Sequence, residues 1–144
     1  IVASYFAVRI TSDSPIVAAI SSKFITNGRR DFVWSTPTSA LTPMKMAVTG
    51  LSPLIAFVAD SIAVKIEVAL INGKKSIVTI KGSDIATWRV PNSARSITII
   101  EASRETHAAA LVTSIHGYGY IPITPGSLLT KVEIPHSNIR VLNP

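Results

Sequence analysis

KIEVALINGKKSIVTIKG, residues 65–82, decides the fold. Apolar and polar residues alternate, the chain turns at Asn72-Gly73, and the alternation resumes, which is the pattern of a β-hairpin. Side chains on a strand point to opposite faces in turn, so Val64, Ile66, Val68 and Leu70 share one face. Val78 and Ile80 must meet that face from the second strand. A two-residue Asn72-Gly73 loop would set Ile66 opposite Thr79 and Val64 opposite Lys81, driving a lysine onto the buried side at high desolvation cost. A three-residue loop, Ile71-Asn72-Gly73, sets Ile66 opposite Val78 and Val64 opposite Ile80. It puts Gly73 at the left-handed position of a type I turn with a G1 bulge. The three-residue loop is therefore expected, with Lys65 and Glu67 pointing outward and Lys81 near them.

Working outward, segments rich in Val, Ile and Thr recur between Pro, Gly, Asn and Ser punctuation. Strands are expected near 3–10, 16–20, 31–35, 44–49, 61–71, 75–81, 86–90, 96–101, 108–114 and 128–134, with a short last one at 138–141. Helical turns are expected only at 14–24, 52–60 and 102–110; the first two open with Ser near a proline. There is no internal repeat, low-complexity tract or linker. The pattern predicts one all-β domain over residues 1–144, an antiparallel two-sheet sandwich. A jelly roll is the first choice of connectivity and an immunoglobulin-like sandwich the second, the latter without its cysteine–tryptophan–cysteine hallmark.

Of the 144 residues, 47% are hydrophobic and 15% charged, against roughly a quarter charged in ordinary domains. The deficit fits a surface covered by other copies of the chain, or a Ser/Thr-rich free surface. The absence of cysteine excludes disulfides, thiolate metal sites and a cysteine nucleophile. No apolar run approaches the ~18 residues of a membrane span; the nearest, 51–64, is broken by Pro53 and Asp60. No secretory leader pattern is visible. The chain begins at Ile1, not Met, so a segment ahead of it, disordered or removed, is expected. The net charge of +6 and pI of about 10.0 favour polyanionic partners: nucleic acid, acidic glycans or anionic lipid. The basic residues are nevertheless spread out, and the only adjacent pairs are Arg29-Arg30 and Lys74-Lys75.

Residues suited to catalysis are sparse. The histidines are His107, His116 and His136, and Glu101-x3-Glu105-x-His107 is the densest cluster of possible metal ligands. A solvated loop, with its acids near Arg104, is the expectation there. No nucleophile elbow, dinucleotide fingerprint or P-loop is present. The chain is therefore expected not to be an enzyme and to hold no cofactor or metal. Asn27-Gly28-Arg29-Arg30-Asp31 is a basic turn, and Arg29, Arg30 and Lys23 are the candidates for phosphate contact, with Arg9 and Arg89 as further cations. Tyr118 and Tyr120, flanked by Gly117 and Gly119, either stack on a sugar or base or fill one end of the sandwich. Trp34 and Trp88 are expected in the core; Trp88-Arg89 is also an interface candidate, both types being enriched in hot spots.

The strands SIAVKIEVALI (61–71), SIVTIKG (76–82) and SITIIEA (96–102), the Ser/Thr/Pro-rich loops, the lack of cysteine and the positive charge without a catalytic set resemble the shell domain of small icosahedral virus coat proteins. The resemblance is one of style and covers nearly the whole chain. It implies a jelly roll, assembly with copies of itself into a shell, RNA as the packaged nucleic acid and residence in a virion. It transfers no site residue. The alternative expectation is a non-enzymatic β-sandwich that binds glycans or anionic surfaces through the 117–120 region.

Overall fold

The computed structural model describes residues 7–26, 28–114 and 117–125. These form β1 (Ile20–Thr26), β2 (Arg29–Ser35), β3 (Met44–Ala47), β4 (Leu54–Leu70), β5 (Lys75–Arg89), β6 (Ala94–Ala102), β7 (His107–Ser114) and β8 (Gly117–Ile123). All pairings are antiparallel. The all-β, antiparallel class read from the sequence is the class observed, and the curled sheet is consistent with a β-sandwich. The strands divide into a two-stranded ribbon, β1-β2, and a six-stranded sheet ordered β3-β6-β4-β7-β8, with β5 on the other side of β4. A jelly roll shares about eight strands between two Greek keys; the described strands do not divide that way. The strands expected at 128–134 and 138–141, and residues 1–6 of the one expected at 3–10, lie outside the described residues; residues 7–10 belong to no strand.

The hairpin has the expected register. Ile66 pairs with Val78 and Val64 with Ile80. The loop is Ile71-Asn72-Gly73: the Leu70 N–H donates to the Lys74 carbonyl at 2.8 Å and the Gly73 N–H to the Leu70 carbonyl at 3.0 Å. Gly73 takes φ of 83°, where a side chain would be strained. The Asn72 side chain accepts from the Lys74 N–H at 3.0 Å. Outside the sheet, Lys75 pairs with Glu67 at 3.0 Å.

Both strands of the hairpin run on past the expected ends. Residues 54–60 continue β4, correcting the expected helical turn at 52–60. Their β-branched and aromatic side chains suit a strand, and β5 and β7 satisfy the backbone on both edges. Likewise 20–24 lie in β1 and 107–110 in β7 where helical turns were expected, and among the described residues there is no helix. The strands expected at 75–81 and 86–90 are one strand, joined through Gly82, Ser83 and Asp84.

That junction is a corner. Asp60 and Ser61 of β4 together oppose Ser83, a bulge by one residue that bends a strand. Asp84 beside it has φ of 60°. On the other edge, β6 and β7 lie end to end along β4 and break at 103–106, where Glu105 has φ of 57°. The bulge also switches parity. Ile55, Phe57 and Ala59 face inward before it, and Ile62, Val64, Ile66 and Val68 after it. Ser103 fastens the break: its hydroxyl accepts from the Ala63 N–H at 3.0 Å and donates to the Ser61 carbonyl at 2.7 Å, and its own N–H donates to the Ala63 carbonyl at 2.8 Å. The buried Thr106 hydroxyl donates to the Ser103 carbonyl at 2.7 Å.

The core lies inside the curl, where Ile55, Phe57, Val64, Ile66, Val90, Ile97 and Ile99 are buried with Ala108, Ala110 and Ile123. Each large side chain buried there stabilises the fold by roughly 1.5–3 kcal/mol. Two bulges in β6 keep Ala94, Ile97, Ile99 and Ala102 opposite the inward residues of β4. The connection from β2 to β3 is tied to the 103–106 break, to β7 and to β8. The Leu41 N–H donates to the Thr106 carbonyl at 2.7 Å, His107 Nδ1–H to the Thr38 carbonyl at 2.7 Å, and the Tyr120 hydroxyl to the Thr36 carbonyl at 2.8 Å. These ties hold the ribbon beside β8.

Candidate functional site

The ribbon is built from ISSKFIT and RRDFVWS. Ile20 pairs with Ser35, Ser21 with Trp34, Lys23 with Phe32, Ile25 with Arg30 and Thr26 with Arg29. Paired residues share a face, so the alternation sorts them into two sets. One set, Ile20, Ser22, Asp31, Val33 and Ser35, is half-buried. Asp31 accepts from the Phe32 N–H at 2.8 Å and from the Tyr118 N–H of β8 at 3.4 Å. The other set is Ser21, Lys23, Ile25, Arg30, Phe32 and Trp34, all exposed. Ile25 is 75% exposed, Phe32 61% and Trp34 57%.

A groove of about 420 Å³ runs along the ribbon, lined by Ser21, Lys23, Ile25, Arg30, Asp31 and Phe32. Among the described residues neither Lys23 nor Arg30 has a carboxylate within ion-pair reach. The outward parity thus carries two cations and two aromatic rings, and the one acid bordering the groove, Asp31, belongs to the opposite parity and is engaged by the Phe32 and Tyr118 N–H groups. Cations beside rings can hold phosphate or sulfate groups while flat apolar groups stack between them.

Lys23 and Arg30, read from sequence as phosphate contacts, are brought together on this face. Arg29 stands one position nearer the turn, opposite Thr26. Trp34 corrects an expectation. It is not in the core, because among the described residues nothing packs on that side of the ribbon. Trp88 does pack against the core, half-buried. Arg89 donates to the Ser52 carbonyl at 2.9 Å and so braces the start of β4 against the end of β5. Gly117–Tyr120 is the start of β8 and not a loop, and Tyr120 is half-buried with its hydroxyl engaged. Burial raises the Tyr120 pKa above the ordinary tyrosine value. Arg9 pairs with Asp60 at the corner, 3.1 Å away.

His107 is fixed to Thr38, Glu105 faces Arg104 at 3.9 Å, and among the described residues no group of three or more His, Asp or Glu is placed to hold a metal ion. His116 and His136 lie outside the described residues. Among the described residues no helix is long and apolar enough to cross a membrane.

Sequence reasoning missed Phe32 and Trp34. The signal was present: Arg29, Arg30 and Asp31 are three consecutive charges, so neither face of the following strand is purely apolar. Arg30, Phe32 and Trp34 then share one parity.

In comparisons with protein-family models, curated proteins and solved structures, no match to this chain is found.

Proposed function

We propose that this chain is a non-enzymatic binding module that holds an anionic partner on the outer face of the β1-β2 ribbon. The observation that carries this reading is the exposed set of Lys23, Arg30, Phe32 and Trp34, with no acid among them. Exposed aromatic residues without a covering layer mark interaction surfaces, and the net charge of +6 draws anions to the molecule. The test is elution from an anionic resin such as immobilised heparin. The double variant Lys23→Ala/Arg30→Ala is expected to elute at clearly lower salt than the wild type. A control with the same loss of charge, Lys65→Ala/Lys81→Ala on the outer face of the main sheet, is expected to stay near the wild type. Equal shifts in the two variants would reduce the reading to general charge attraction and overturn it.

The second reading is a self-assembling coat protein that encloses nucleic acid in a virion. What favours it is the number of large apolar side chains left in solvent, Ile71 and Ile77 among them as well as the ribbon's own. A shell of symmetry mates would cover such surface. Among the described residues no strand pairs with the other edge of β5, and β5 carries exposed Lys75, Lys81, Asp84 and Arg89, residue types that oppose edge-to-edge strand pairing, so contacts between copies would run through faces. Light scattering with the 260/280 nm absorbance ratio of native material decides it: large particles carrying nucleic acid support the coat, and a small nucleic-acid-free species removes it.

A further inference from the structure

The ribbon face narrows the class of partner, and this inference rests on the binding-module reading above. We infer that the ribbon binds single-stranded nucleic acid, with bases stacked on Phe32 and Trp34 and phosphates held by Lys23 and Arg30. Besides the two cations, the polar side chains lining the groove are Ser21 and Asp31, and Asp31 already accepts from the Phe32 and Tyr118 N–H groups. A face built for a sugar's hydroxyls needs several carboxylate or amide acceptors, and here a single, already engaged carboxylate borders the groove. A phosphodiester needs only donors and charge.

The arrangement of the face also fits a single strand. From the turn downward the exposed pairs are Ile25 with Arg30, Lys23 with Phe32, and Ser21 with Trp34. Cations and apolar groups are interleaved, as phosphates and bases are along a single strand. A hairpin that dips into a lipid surface has the opposite order, with apolar residues at the tip and cations set back. Here Arg30 stands nearer the turn than either ring, so insertion would drag a guanidinium below the headgroups before Phe32 or Trp34 gained anything.

The spacing of the rings favours a single strand over a duplex. Phe32 and Trp34 are two residues apart on one strand, so their Cα atoms are separated by about 6.7 Å. That is about twice the 3.4 Å rise of stacked bases in a duplex. The rings therefore match bases that have been spread apart, and a duplex with its bases stacked inside offers them nothing. Duplex recognition through a groove would instead require side chains that reach base edges.

The experiment is fluorescence anisotropy with the whole chain and labelled oligothymidylate or oligouridylate of about 12 nucleotides, within the usual site size for such surfaces. The comparison probes are a duplex of the same length, heparin, and vesicles of phosphatidylserine with phosphatidylcholine. Single strands are expected to bind at least about tenfold more tightly than the duplex, since each stacked base adds substantially. Phe32→Leu and Trp34→Leu keep the apolar bulk and remove the rings; each is expected to weaken single-strand binding by about tenfold, with unchanged thermal midpoints. Phe32→Tyr is expected to retain binding. Lys23→Ala/Arg30→Ala is expected to lower the slope of log K against log salt by about 1.4, the value for two phosphates on a single strand. Duplex or vesicles bound as tightly as single strands, or ring variants that bind like the wild type, would overturn this inference while leaving an anionic partner on the ribbon. Failure of every anionic probe to bind would overturn both.

Discussion

β4 and β2 use the same alternation and meet opposite fates. In β4 the apolar parity, Val64, Ile66 and Val68, is buried. In β2 the aromatic parity, Phe32 and Trp34, is more than half exposed. The difference lies in the neighbours. β4 is paired on both edges and closed over by the curl of its own sheet. β2 is paired with β1 and rests its other parity near β8. Alternation determines which side chains share a face. Whether that face is covered is decided by tertiary structure.

Two phenylalanines give the largest test of that contrast. Phe57→Ala is expected to cost about 4 kcal/mol, as for large cavities in well-packed cores. Phe32→Ala is expected to change stability by no more than about 0.5 kcal/mol, as for an exposed site. Urea unfolding measures both, and similar losses would mean that the ribbon face is covered in the folded protein.

The corner and the hairpin loop come next. Ser103→Ala deprives the Ala63 N–H and the Ser61 carbonyl of their partner, and a loss of about 1–2 kcal/mol is expected. No loss would show that the bulge does not need this fastening. Gly73→Val forces a β-branched residue to φ of 83°, at an expected cost of about 1–2 kcal/mol; an unchanged melting temperature would contradict the turn.

The smallest effect belongs to the tie between ribbon and sheet. Tyr120→Phe removes the bond to Thr36, expected to cost about 1 kcal/mol or less. Burial raises the Tyr120 pKa, so the folded state favours the neutral phenol. Its contribution is complete below the ordinary tyrosine pKa of 10.0 and is lost as pH rises through the raised value. Thermal melts at increasing alkaline pH should therefore bring wild type and variant closer together. A gap that widens would contradict the sign.

Much of the fold was legible because the deciding signals are local. The register of the 65–82 hairpin followed from keeping Lys81 off the buried face, and Gly73 followed from that register. The continuation of β4 through 54–60 was not legible, since Pro53 and Ser52 mark the start of a strand or of a helix equally well. The merging of 75–81 with 86–90 was hidden by Gly82, Ser83 and Asp84, which read as a turn but form a corner that only the neighbouring bulge explains. At the site, Lys23 and Arg30 were legible from charge. Trp34 was not, because an aromatic residue in an apolar strand reads as core unless the missing layer is known. For Tyr118 and Tyr120 the flanking glycines left a stacking loop and a filled sandwich end both open, and pairing with β7 makes that stretch a strand.

The most direct test is the fluorescence of Trp34 as the only tryptophan, obtained in a Trp88→Phe variant, since the chain has two. The account predicts solvent-exposed emission in the free protein, readily quenched by acrylamide. It predicts protection and a spectral shift on saturation with oligothymidylate, both lost when Lys23 and Arg30 are replaced by alanine. Emission typical of a buried indole before any ligand is added, or a spectrum indifferent to every anionic probe, would contradict it.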